Sequence, residues 1–174
     1  MLYAACGLAA CTAVIVLKWI LMGRYRAGEK PLWSTFVWRN ELITALHENL
    51  TDTFLVDKLK GTPFIAWFFR LLGAKIGKRA FLDTTCFNEY DLVDLGDDVA
   101  LNDEATVQTH LFEDRVMKMS KVRIGDRCSV GALSLVLYDT TMHAGAELGD
   151  LSLIMKNEQL PAGTQWEGIP ARRS

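Results

Sequence analysis

Between residues 76 and 160 an aliphatic side chain recurs every six positions: Ile76, Leu82, Leu95, Leu101, Val107, Ile124, Val130, Val136, Met142, Leu148, Ile154 and Leu160. A helix repeats its buried face every 3.6 residues and a half-buried strand every two, so a period of six belongs to neither alone. It fits a short strand followed by a bend. Three such units make one triangular coil, and coils stacked at strand spacing bury a continuous apolar column. Fifth positions are mostly small (Ala80, Cys86, Val99, Ala105, Cys128, Ser134, Thr140, Ala146, Ser152), as expected where two side chains per strand share a narrow interior. Second positions include Gly77, Gly96, Gly125, Gly131 and Gly149, with Asp83 and Asn102. These residue types tolerate positive φ, and they are expected to form the corners.

The period slips twice. Leu82 and Leu95 are thirteen residues apart, one more than two sextets, which predicts a bulge around "NEYD" (88–91). Val107 and Ile124 are seventeen apart, which predicts one further sextet at 118–123 and a five-residue loop at "EDRVM" (113–117). Insertions in a solenoid map to loops on one face and often carry function.

Ahead of the repeat, residues 2–22 hold a single charge, Lys18. Twenty-one helical residues rise about 31 Å, against a hydrocarbon core of about 30 Å, so this stretch is long enough to cross a membrane. Lys18, near its end, is expected to snorkel to the headgroups. Arg24, Arg26 and Lys30 follow, and the positive-inside tendency then places the body in the cytoplasm. A cleaved signal peptide would carry a basic start and a shorter apolar core. "LAAC" (8–11) resembles a lipoprotein processing site, but the apolar run continues past its cysteine. From Pro31 to Gly73 the pattern turns helical, with Phe36, Val37, Leu42, Ile43 and Leu46 on one stripe. Thr62, Pro63 and Gly73 mark the N-cap, first position and C-terminal cap of a short helix that is apolar nearly all round. Such a helix is either buried as a lid on the open end of the repeat or seated in a membrane interface. The expected organisation is a transmembrane helix at 1–23, an amphipathic helical connector at 24–73 and the β-helix at 74–174.

A net charge of -2 makes no electrostatic case for nucleic acid. The cysteines at 6, 11, 86 and 128 have neither metal-ligand nor CxxC spacing, so neither a zinc site nor a disulfide framework is expected.

The repeat and the terminal "WEGIPAR" (166–172) resemble the hexapeptide-repeat acyltransferases. That resemblance covers about residues 74–174 and implies a mainly β fold, a left-handed parallel β-helix, and a homotrimer with substrate clefts between columns. A narrower resemblance rests on "LWSTFVWRNELITALHENL", "GTPFIAWFFRLLGAKIG" and "ATVQTHLFEDRVMK". These are similar to the C-terminal membrane-bound units of ε-poly-lysine-synthetase-type nonribosomal peptide synthetases. It implies joining of carrier-delivered aminoacyl groups to a free amine, with the membrane and adenylation and carrier modules (same chain or in trans) as partners. No bound cofactor is implied; the donor arrives on a phosphopantetheine carrier. Two alternatives stand beside this: an acyl-CoA-dependent acyltransferase, and a non-catalytic trimerising scaffold.

Acyl transfer needs a base for the nucleophile's proton and a donor for the developing oxyanion. Of His47, His110 and His143, the candidate base is His110, just before the inserted loop, with Glu113 or Asp114 to orient its ring. Arg115 is placed to meet a carrier phosphate or a substrate carboxylate. Asn102 either binds substrate or takes a corner conformation. A backbone N–H at a corner glycine such as Gly131 is the candidate oxyanion donor. His143 is expected at a solvent-facing corner and His47 on a solvated helix face. No convergence of three histidines is visible, so no metal site is expected.

Overall fold

The computed structural model describes residues 2–174. All twelve aliphatic leaders of the six-residue repeat point inward, none more than 9% exposed. Each sits in a strand of two or three residues. The chain runs through β2 (Lys75–Ile76) and β3 (Phe81–Leu82), then β4 (Val93–Leu95), β5 (Ala100–Leu101) and β6 (Thr106–Gln108). A hairpin of β7 (His110–Glu113) and β8 (Val116–Met119) interrupts it. The next coils are β9 (Val122–Ile124), β10 (Ser129–Val130) and β11 (Leu135–Leu137), then β12 (Thr141–Met142), β13 (Glu147–Leu148) and β14 (Leu153–Ile154). The last holds β15 (Gln159–Leu160) and β16 (Gln165–Glu167), with β17 (Arg172–Arg173) turning back on β16. Successive strands enter three parallel sheets in rotation, so Met142 lies between Ile124 and Leu160 and Val130 between Leu101 and Leu148. The small polar fifth positions are satisfied by neighbouring coils. Ser134 donates to Gly149 O at 2.7 Å, and Gly168 N donates to Ser152 Oγ at 2.9 Å.

The corners differ from expectation. The second-position glycines do not have positive φ; that conformation falls two residues later, at Arg79, Asp98, Glu104, Arg127, Leu133, Asp139, Leu151 and Asn157. Glycine is needed at the second position for closeness instead. A Cβ on Gly77 would run into the Gly96 backbone, one on Gly96 into Asp126, and one on Gly131 into the 149–150 backbone. At these three corners the coils stack backbone on backbone, with no room for a side chain.

The helical part is a layer over the open end of the coils. α1 (Leu2–Leu21) is the one described helix long and apolar enough to cross a membrane. It docks through a seam of Gly7, Cys11, Val14 and Lys18, spaced 4, 3 and 4, with Gly7 against Leu55 and the Phe54 carbonyl. Lys18 is therefore not a snorkelling end residue. It is fully buried, its Nζ 2.6 Å from Asp91 Oδ2 and 3.7 Å from the Trp19 ring centroid. An ammonium taken from water needs such a partner, and Asp91 supplies it.

The connector is not wholly helical. β1 (Gly28–Pro31) pairs antiparallel with β8, because the inserted hairpin offers a free edge there. α2 (Thr35–Leu46) follows, with Ser34 as N-cap and Val37, Asn40 and Ile43 buried. A π-helical turn at His47–Asp52 leads on towards α3 (Pro63–Leu72). On α3, Pro63 and Gly73 occupy the expected end positions, while Thr62 at the N-cap donates its hydroxyl to Leu59 O rather than capping with it. α3 buries Ile65, Phe68, Phe69 and Leu72 as the lid and leaves Phe64, Trp67 and Leu71 exposed.

Candidate functional site

Both slips in the period converge on one place. The first puts an extra residue after Phe87, whose bridge to Val107 aligns the two segments in parallel. Two residues beyond that bridge, Glu89 and Thr109 face each other. Glu89 takes φ 33° and starts a 3₁₀ turn at Tyr90–Leu92, at the predicted bulge. The second slip is a β-hairpin rather than a loop plus a sextet: Asp114 and Arg115 both have positive φ, the conformation of a tight two-residue turn, and residues 116–119 return along β7.

His110 opens β7 and is buried, not a loop-edge residue. Its Nδ1 lies 2.8 Å from Glu89 Oε2. Thr109 donates to the same oxygen at 2.6 Å, and Asn40 of α2 donates to Oε1 at 3.0 Å. The Glu89 side chain is fully buried, and its oxygens accept three bonds. A carboxylate only accepts, so Nδ1 carries the ring proton and the lone pair lies on Nε2. The ring edge meets Phe112 at 5.2 Å between centroids. A neutral imidazole held this way is arranged to take a proton at Nε2.

Glu89, not Glu113 or Asp114, orients the ring. Successive strand side chains alternate in direction, so Glu113 points away from His110 and meets Lys118 and Lys156, which hold its carboxyl below the usual range. Asp114 and Arg115 form the exposed hairpin tip, about 10 Å or more along the strand from His110. The corrections extend to the corner residues. Asn102 Nδ2 bonds Val130 O of the next coil at 2.9 Å. The Gly131 N–H donates to Leu148 O at 2.8 Å, so it is not free for an oxyanion. His143, by contrast, is exposed at a corner as expected. His47, expected in solvent, is buried among Phe68, Phe69 and Tyr90 with Nδ1 2.6 Å from Thr51 Oγ1. Burial lowers its pKa to about 4. Glu89 and Asn40 escaped the sequence reading, although the extra residue at "NEYD" and a polar residue inside the apolar stripe of α2 were both visible signals.

No family model matches the chain. Among curated proteins, the delta-poly-L-ornithine synthetase of Acinetobacter baumannii (strain AB307-0294) is 43% identical over 158 residues. That alignment takes in 91% of this chain and 12% of the synthetase, so the chain spans about an eighth of that relative's length. Among solved structures, a maltose O-acetyltransferase from Clostridium difficile 630 superposes with TM-score 0.65 at 15% identity, covering 85% of this chain and 91% of that one. The chain shares the fold of that acetyltransferase. A hexapeptide-repeat acetyltransferase from Vibrio cholerae matches 68% of this chain and 85% of its own at TM-score 0.50 and 13% identity. The Bacillus cereus N-acyltransferase AntD, solved with dTDP and coenzyme A, matches 59% and 72% at TM-score 0.52 and 14% identity. Identities this low speak for the mainly β, parallel-sheet fold alone, and the choice of substrate lies in the side chains placed on it.

Proposed function

We propose that this chain is a membrane-attached aminoacyltransferase unit of a poly-amino-acid synthetase, with residues 1–23 as the membrane segment, 24–73 as the connector and 74–174 as a left-handed β-helix. The observation that carries this is the 43% identity to a poly-ornithine synthetase across 91% of the chain, on an acyltransferase fold. In the proposed reaction the side-chain amine of a diamino acid such as ornithine attacks a thioester carbonyl on a phosphopantetheine carrier. The C–N bond forms, the C–S bond breaks and the carrier thiol leaves. His110 Nε2 takes the amine proton, Glu89 stabilises the imidazolium that results, and the imidazolium returns the proton to the departing thiolate. Adenylation and carrier modules supply the donor. Three chains assemble, and Arg24, Arg26 and Lys30 hold the β-helix on the cytoplasmic side.

Coenzyme A in the AntD structure favours a second donor class, acyl-CoA, since pantetheine is common to both. The deciding experiment offers the full chain an ornithyl-carrier thioester and acetyl-CoA side by side with free ornithine or lysine as acceptor. Amide formation from the carrier alone supports the synthetase reading; formation from acetyl-CoA alone overturns it.

A further inference from the structure

The turn at Tyr90–Leu92 joins two charged groups that lie two residues apart, Glu89 fully buried and Asp91 partly so. Glu89, before it, holds His110, Thr109 and Asn40. Asp91, inside it, accepts Lys18 Nζ of α1 at 2.6 Å and the Tyr25 backbone N–H at 3.1 Å through the same oxygen. Gly73, at the end of α3, closes the cage: a Cβ there would lie 2.6 Å from Asp91 Oδ1. Leu92 N donates to Glu89 O at 2.8 Å, so the segment is one closed turn with a grip at each end.

Glu89 has φ 33°, a left-handed conformation that a side-chain-bearing residue keeps only when its surroundings dictate it. The surroundings here are the Asn40 contact on one side and the Asp91 cage on the other. A buried Lys–Asp pair is itself a poor source of stability, because desolvating two charges offsets their attraction and an apolar pair of similar volume does as well. In some proteins such a pair instead fixes a geometry that an apolar pair leaves loose.

We infer that Lys18 and Asp91 are positioning residues for His110, acting through Glu89, so that the seating of the membrane-type helix α1 sets the orientation of the imidazole. The inference builds on the acyl-transfer reading, but its test needs no substrate.

The full chain in detergent micelles, labelled with 15N-histidine, reports the protonated ring nitrogen of each histidine. Wild type is expected to show His110 as the Nδ1–H tautomer. Lys18→Arg, which keeps the charge, should preserve it. Lys18→Met should convert His110 to a mixture of tautomers while His143 is unchanged. Should Lys18→Met fail to fold, Lys18→Met/Asp91→Leu carries the test, since it leaves no orphan charge, and it should show the same mixture. A folded variant without the ion pair that keeps His110 wholly Nδ1–H overturns the inference. Loss of the tautomer with transfer activity insensitive to His110→Ala would instead keep the coupling and remove the base role given to His110.

Discussion

Glu89 and His110 are 21 residues apart in the chain and meet at 2.8 Å, Oε2 to Nδ1. If the pair works as proposed, His110→Ala slows aminoacyl transfer by about 10²–10⁴-fold. Glu89→Gln slows it by about tenfold or more, because a side chain that both donates and accepts no longer fixes the tautomer. Asp114→Asn, at the hairpin tip, leaves the rate near wild type. Initial rates with the carrier-bound donor decide this; His110→Ala keeping more than about half the activity would remove the base assignment.

Asp52 lies beside His47, its Oδ1 3.6 Å from His47 Nε2 and buried with no hydrogen bond. Burial pushes the carboxyl up to about 6 from 3.8. The folded state then keeps a proton that the unfolded chain gives up, so ionised Asp52 costs stability above pH 6, and the cost fades as pH falls towards 3.8. Asp52→Asn should stabilise the protein at neutral pH by on the order of 2–3 kcal/mol, shrinking to nothing near pH 4. His47 acts in the opposite sense. With its pKa lowered from 6.5 to about 4, the unfolded chain takes up the proton first and stability falls across that window. The Asn variant, lacking the opposing carboxyl, should therefore lose stability with acid more steeply than wild type. Thermal unfolding followed by tryptophan fluorescence from pH 4 to 7.5 tests both slopes; parallel curves would refute the pairing.

Two glycines separate closeness from conformation. Gly96→Ala forces a methyl into the Asp126 corner and should cost about 3 kcal/mol or more. Gly163, with φ 65° and nothing within 4 Å, should cost only the left-handed penalty of about 1 kcal/mol when changed to Ala. Urea midpoints at constant m-value give the comparison, and equal losses would contradict it.

Deleting residues 1–22 should release most of the protein from membranes. Because the deletion also strips the Gly7–Lys18 seam and orphans Asp91, it should lower the unfolding temperature as well. Adding Phe64→Ser, Trp67→Ser and Leu71→Ser should release the remainder, since these exposed side chains lie beside α1, where Trp19 Nε1 donates to Leu71 O at 2.8 Å. Flotation with liposomes measures both steps. Undiminished flotation of the deletion variant would show that α1 is not the anchor.

Light scattering in detergent, corrected for the micelle, should give three times the 19.5 kDa chain mass. A monomer at concentrations well above those of the assay would refute self-trimerisation.

The six-residue period determined the coils by itself. Once a strand-plus-bend unit repeats, every leader from Ile76 to Leu160 must face the same column, and local chemistry suffices to say so. The apolar length of 2–22 and the end positions of α3 were legible for the same reason: each is set by residues adjacent in the chain. The places where the period slipped were legible too, the first as a bulge, but the loop and sextet expected at 113–123 are replaced by a hairpin. Only the tertiary structure decided what filled them. Glu89 reaches His110 because Phe87 bridges Val107 a full coil away, and the strand alternation that turns Glu113 aside takes effect only once residues 110–119 fold as a hairpin. Lys18 looked like the charged end of an isolated helix until Asp91, 73 residues on, supplied a partner inside the layer. A buried polar group is defined by what surrounds it, and those surroundings come from coils and helices distant in sequence.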